Sequence, residues 1–189
     1  VDSDLMIGTR QYITNTRLND IKDGIRILKK ISGVDRIILV TGRDAMQGFG
    51  HIGAEVKSID TTYPAGLPPM IMKNVIGEVL PAGKTCEEMG VCFMSVEAVA
   101  AIGQAYASGR LPTRKILTLI NKDDSQRLIE CAIGTPVGDI LSRYGIAIEK
   151  CGRVLCADYG LVPVTLEQCP VDQPQQRQSE KAIEAPRER

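Results

Sequence analysis

Six cysteines, a single histidine and two glycine-bearing loops carry most of the chemical potential of this 189-residue chain. The cysteines are Cys86, Cys92, Cys131, Cys151, Cys156 and Cys169, and the histidine is His51. Zinc sites and iron–sulfur clusters draw their ligands from close pairs such as Cys-x-x-Cys, because neighbouring thiolates must converge on one ion. No such pair exists here, so the chain by itself is expected to bind no iron–sulfur cluster or other metal. The cysteines read instead as reduced, mostly buried thiols of a cytoplasmic protein. Cys151 and Cys156 are the best-spaced pair for a redox or metal role. No nucleophile–base pair and no acid–base pair can be picked out, so there are no catalytic residues to assign and no support for hydrolase or transferase chemistry.

The first loop runs from Gly42 to Gly53 and contains Gly48-x-Gly50-x-x-Gly53, the spacing of a dinucleotide fingerprint. In that fingerprint the last glycine opens a helix whose amides meet the pyrophosphate. The strand expected at 55–59 leaves no room for such a helix, so the motif reads as a connector. The second loop, Tyr63-Pro64-Ala65-Gly66-Leu67-Pro68-Pro69, is stiffened by three prolines and is placed across the carboxyl edge of a sheet.

Around these loops the periodicity alternates. Leu5-Met6-Ile7 reads as a short strand. Asn15 or Thr16 can cap a helix whose apolar face is Leu18, Ile21, Ile25, Leu28 and Ile31, ended by Gly33. The β-branched run 36–41 suits a strand buried on both faces of a parallel sheet, with a second strand at 55–59. A helix is expected over about 70–79, closed by Pro81-Ala82-Gly83, and a buried strand at 91–94. Ser95 caps a slim, alanine-rich helix over 96–107, with Glu97 in its first turn and Gly109 as its C-terminal stop. After Pro112 the pattern changes to strand 115–120, turn 121–125 and alternating strand 127–133. A helix over 136–144 follows, with Thr135 as cap, Pro136 at its first position and Gly145 at its end. Segments 153–156 and 162–165 could be returning strands. Strand, turn, strand, helix is the opening of a β-grasp unit. Residues 171–189 are rich in Gln, Glu, Arg and Pro without apolar periodicity, and read as a disordered tail.

Composition sets the outer bounds. Lys plus Arg and Asp plus Glu are equal at 23 each, and no field favours nucleic acid or an anionic membrane. Aromatic residues make up 4% with no Trp, which argues against a platform for stacking bases. No apolar run approaches the roughly 18 residues of a membrane span, so direct insertion is not expected. The chain starts at Val1, which reads as a processed product or a fragment of something longer.

The order of elements, the Tyr-Pro-x-Gly loop, the Ser-Val-Glu-Ala-Val-Ala-Ala-Ile helix (95–102) and the Ile-Gly-Thr-Pro-Val-Gly-Asp-Ile-Leu stretch (133–141) resemble the C subunit of Rnf electron-transport complexes. The chain is also similar to the A subunit of the sodium-pumping NADH:quinone reductase. The resemblance covers residues 2–170 and implies an α/β protein of two parts. A Rossmann-like, flavin-domain-related parallel layer would occupy 1–111, and a small soluble-ligand-binding (SLBB-like) β-grasp domain 112–170. It further implies an electron-transfer component that handles electrons from NADH or ferredoxin, holds FMN and works beside the other members of a redox complex. Such a component would be cytoplasmic and peripheral at the inner membrane through its partners.

Three features of the family are absent or altered: the glycine-rich flavin loop, the Cys-x-x-Cys-x-x-Cys motif after the β-grasp domain, and the Asn-Val-Gly-Thr segment, which is Cys92-Phe93-Met94-Ser95 here. A cofactor-free binding or assembly scaffold is therefore the alternative. If FMN is held, Asp4, Tyr63, Gly66 and Ser95 stand where the family's site would be lined, with the amides at the Ser95 helix start facing the phosphate.

Overall fold

The computed structural model describes residues 8–43, 49–121, 123–146 and 182–183. The chain is mixed α/β and divides into two compact units, Val1–Pro112 and Thr113–Arg189.

Unit 1 begins with two consecutive helices, α1 (Thr9–Thr16) and α2 (Leu18–Ser32). Helix α1 carries little apolar periodicity and is not foreshadowed by the sequence. One residue anchors it: Ile13 is 1% exposed. Its threonines turn back on the helix, Thr14 Oγ1 donating to the Arg10 carbonyl and Thr16 Oγ1 to the Tyr12 carbonyl, each at 2.7 Å. This corrects the expected cap of α2. Neither Asn15 nor Thr16 serves; Arg17 holds the cap position without a side-chain bond. Gly33 ends α2 as expected, in the left-handed conformation at φ 67°.

The core of unit 1 is the crossing of α2 with α4 (Val96–Ser108). A Cβ on Gly24 would collide with the carbonyl oxygen of Val99, and one on Gly103 with the carbonyl oxygen of Asp20. These pairings run in opposite directions along the two helices, so the helices are antiparallel. Ile21, Ile25 and Ala100 surround the crossing and are all but sealed from solvent. In this register α4 starts level with the last turn but one of α2. The apolar face of α2 therefore outlasts its partner, and Ile31, counted in the face from its spacing, is exposed. Ser95 caps α4 as expected, its Oγ accepting from the Ala98 amide at 3.2 Å, and Gly109 closes it at φ 66°.

Two parallel strands, β1 (Ile38–Gly42) and β2 (Glu55–Ile59), pair in register from Ile38↔Glu55 to Gly42↔Ile59. The expected burial on both faces is not met: Ile38, Leu39 and Val40 are half-buried, and only Thr41 is sealed. The described part of the connector between the strands has no helix at Gly53, as expected. Phe49 and Ile52 are buried, and Gly53, at φ 77°, faces Ile25 of α2.

Helix α3 (Pro68–Ile71) starts two residues before the expected 70–79 helix, because Pro68 and Pro69 fit its first turn. It continues as a wide π-type turn, Met72–Ile76, and stops at Gly77, φ 90°, leaving Val79 exposed. The strand expected at 91–94 is absent. A capping box takes its place upstream: Thr85 and Glu88 exchange bonds around a 3₁₀ turn at Glu87–Met89. The Val91 amide then bonds back to the Cys86 carbonyl at 2.9 Å instead of to a strand.

In unit 2, β3 (Arg114–Ile120) and β4 (Gln126–Ala132) form the expected antiparallel hairpin, with Leu117 opposite Ile129. Its turn is built by Asp123 Oδ1, which accepts from the Ser125 amide and hydroxyl, and by Asp124 at φ 60°. Helix α5 (Val137–Arg143) follows. Pro136, not Thr135, is its cap, because the Thr135 hydroxyl donates backwards to the Ala132 carbonyl at 2.7 Å. Gly145 is left-handed as expected. The strands expected at 5–7, 153–156 and 162–165 lie outside the described residues, as does the Cys151–Cys156 pair. So does most of the segment 171–189, but not all of it: Ala182–Ile183 form a strand, β5, antiparallel to β4.

The helix crossing yields a test whose sign is not obvious. Alanine is the better helix former by about 1 kcal/mol, so relief of helix propensity alone would make Gly24→Ala and Gly103→Ala stabilising. The collisions with backbone carbonyls outweigh this, since overpacking a tight core costs about 1–3 kcal/mol or more. Each variant is expected to lower the denaturation midpoint in urea, and a rise would show that the helices separate freely.

Candidate functional site

Parallel strands present their carboxyl ends as one edge, where open α/β sheets receive ligands. Here that edge is formed by Gly42 and Arg43 at the end of β1 and by Asp60, Thr61, Thr62 and Tyr63 after β2. The two strand ends approach so closely that a Cβ on Gly42 would stand 2.7 Å from Thr61 Cγ2. Asp60 builds the turn out of β2: its Oδ1 accepts from the Thr62 amide at 3.0 Å and from the Thr62 hydroxyl at 2.8 Å. The Ala65 amide then bonds to the Thr62 carbonyl, and the Leu67 amide to the Pro64 carbonyl. The result is a rung-by-rung closed loop from Asp60 to α3. The Tyr63–Pro64 peptide bond within it is cis.

The bonds from the Thr62 amide and hydroxyl hold the Asp60 carboxyl below its ordinary range, and the nearby Arg43 charge adds to this. At the other end of the strand pair, Glu55 is lowered chiefly by Lys57 and next by Arg36, with contacts of 2.8 and 2.9 Å. These ion pairs are exposed and contribute little stability. They are separated by the length of the strands from the loop edge.

Of the four residues proposed from sequence, three can be placed. Tyr63 projects from the loop with 62% of its surface exposed. Gly66 is half-buried in the same loop and is not among the left-handed glycines. Ser95 is exposed at the start of α4, with its hydroxyl engaged by the Ala98 amide. Asp4 lies outside the described residues. Tyr63 and Gly66 are thus brought together by one loop, whereas Ser95 is positioned by α4, its hydroxyl serving that helix. Sequence reasoning misses Asp60 and Arg43. Asp-x-Thr directly after a strand is a legible side-chain-to-backbone turn signal for Asp60, but nothing in the sequence marks Arg43.

The fit of an FMN phosphate to the start of α4 has one point for it and one against. The amides of Val96 and Glu97 precede the first helical bond, which Val99 donates to the Ser95 carbonyl at 3.1 Å, so they lie at the positive end of the helix dipole. Glu97, however, puts a carboxylate into that same turn. Among the described residues no group of three or more His, Cys, Asp or Glu side chains is placed to hold a metal ion. Cys86 and Cys131 are buried thiols and Cys92 is exposed. No described helix is long and apolar enough to cross a membrane.

The lowered Asp60 carboxyl gives a pH prediction. A depressed folded-state pKa adds stability above the unfolded carboxylate value, about 3.9, and that addition is lost as pH falls through the folded value. Asp60→Asn keeps an acceptor oxygen for Thr62 but removes the titration. Its thermal midpoint should fall less steeply on acidification below about pH 4 than that of the parent. Parallel acid profiles would show that the Thr62 bonds do not discriminate between the protonated and ionised forms.

No family model matches the chain. Curated relatives do. The C subunit of the ion-translocating oxidoreductase complex of Haemophilus influenzae (strain PittEE) is 28% identical over 145 residues, which is 71% of this chain and 22% of that protein. Its Pseudomonas aeruginosa counterpart is 25% identical over 157 residues, 79% of this chain and 20% of the relative. That of Buchnera aphidicola subsp. Baizongia pistaciae is 22% identical over 153 residues, 76% and 30%. The chain therefore spans less than a third of the length of these relatives. The similarity supports a likeness to the C-subunit family of such complexes.

Proposed function

We propose that the chain is an electron-transport component similar to the C subunit of ion-translocating oxidoreductase complexes, working beside other redox subunits. The observation that carries this reading is the similarity to that family over 145 residues of the chain. It is supported by the division at Pro112, with a parallel strand pair before it and an antiparallel hairpin followed by a helix after it. On this reading unit 1 is a Rossmann-like, flavin-related layer, and unit 2 is an SLBB-like β-grasp domain. The component sits on the cytoplasmic side, peripheral to the inner membrane through its partners, and receives electrons from NADH or ferredoxin.

FMN is the proposed cofactor of unit 1. When bound, it couples a two-electron donor to one-electron carriers. The chain's own part is to hold it. The amides of the first turn of α4, at Ser95, Val96 and Glu97, meet the phosphate, and the Tyr63–Gly66 loop covers the ring or ribityl chain and excludes water. Asp4 is the fourth residue of the proposed lining by family likeness alone. The scaffold reading, in which the chain keeps the fold but binds no flavin, is favoured by one observation. Glu97 places negative charge in the turn that the phosphate would enter.

Titrating the purified chain with FMN and following flavin fluorescence tests the cofactor. Saturable quenching is expected, and Gly66→Val should weaken it, because a side chain there blocks a close approach of ligand to backbone. The same substitution should lower stability by no more than ~1 kcal/mol, as at other partly exposed positions. If FMN binds to neither protein while redox subunits still associate with the chain, the scaffold reading replaces the flavin one. A collapse of stability in Gly66→Val would make Gly66 a residue of the fold and not of the site.

A further inference from the structure

Residues 171–189 contain only four apolar residues, Val171, Ala182, Ile183 and Ala185, and their composition is that of a chain segment that cannot support a core. Within this polar stretch the couple Ala182–Ile183 nevertheless forms strand β5 against β4. The sheet order is β3-β4-β5, so the segment occupies the side of β4 that the hairpin itself leaves open. The register places Ile183 opposite Leu128 and Ala182 opposite Ile129. Ile129 is the deepest residue of the hairpin at 1% exposure, so the contact falls on the part of β4 that anchors unit 2. It is also the most apolar couple of the segment that lands there. A β-strand edge presents unsatisfied amides and carbonyls and is a template for pairing with another chain unless it is covered.

We infer that Ala182–Ile183 is a latch: this couple docks as an added strand on the edge of β4 and shields Leu128 and Ile129 from pairing with a second copy. The latch is weak by construction. A two-residue strand offers few backbone bonds, and the segment around it brings little apolar surface, so it opens far more often than the hairpin beneath it. When it opens, the edge that it uncovers is apolar, at Leu128 and Ile129. A second copy carries the same edge and the same docking segment, which makes it the partner that fits.

The test uses the full chain with Ile183→Pro. Proline cannot donate to a ladder and is confined to strand edges or excluded from pairing. Hydrogen exchange at the Leu128 and Ile129 amides reports the latch, and sedimentation reports self-association. The expected result has three parts. Protection drops at least tenfold at whichever of these two amides faces β5. Amides bonded between β3 and β4 keep theirs, which shows that the hairpin is still folded. The variant sediments increasingly as a dimer as its concentration rises, and a synthetic peptide of residues 178–187 added in excess restores the monomer. Unchanged protection in Ile183→Pro would overturn the docking of this segment. Lost protection with no self-association at any concentration would overturn its shielding role.

Discussion

The helical core of unit 1 depends on how close two helices can come. At the α2–α4 crossing, Gly24 lies against the Val99 carbonyl and Gly103 against the Asp20 carbonyl, with no space for a single methyl group. Such an approach trades the hydrophobic area of side chains for backbone-to-backbone packing, and it works only because both partners present glycine at the crossing. The isoleucines of α2 and Ala100 of α4 then close around the contact. Gly53, at the entrance to β2, lies beside Ile25 of α2, so the helix pair and the strand pair approach each other there. The loop that leaves β2, with Asp60 and Tyr63, takes its place from the end of that strand and its own local bonds.

The site edge is organised by different forces. Asp60 is an exposed carboxylate satisfied by its own loop, and Arg43 lends it charge from the neighbouring strand end. Local hydrogen bonds of this kind set a loop's shape without adding much to global stability. A loop fixed in this way incurs no ordering cost on binding, which is what the proposed site would require of it. The negative charge of Glu97 at the head of α4 works against an anionic cofactor, and it separates the flavin reading from the scaffold reading in physical terms.

Much of the fold is legible in the sequence, for identifiable reasons. α2, α4, both strands of the hairpin and the strand 55–59 announce themselves by apolar periodicity and by glycine stops, and the structure ends them within a residue or two of the expected positions. Ser95 reads correctly as a cap because its hydroxyl meets the Ala98 amide ahead of it. Thr16 and Thr135 mislead because a carbonyl one turn back captures each hydroxyl, a choice that depends on backbone geometry and not on residue type. α1 escapes because a single buried residue, Ile13, anchors it, and one anchor makes no period. The run 91–94 looks like a strand by composition, but a strand needs a neighbour, and the capping box at Thr85 and Glu88 turns the chain elsewhere. Ala182–Ile183 is hidden for the opposite reason: its pairing comes from the edge of β4 and not from its own surroundings. Of the candidate site, Tyr63, Gly66 and Ser95 are reached through family likeness, whereas Arg43 is significant only through the strand geometry that sets it beside Asp60.

A component that passes electrons among redox subunits must be found with them and must carry or contact a reducible centre. The most direct measurement is to isolate the chain under mild conditions from the cells that make it, identify what accompanies it, and record the visible spectrum before and after adding NADH or reduced ferredoxin. Co-isolation with other redox subunits and bleaching of a flavin band on reduction is the predicted result. A chain isolated alone, or with partners that carry no reducible centre, would contradict it.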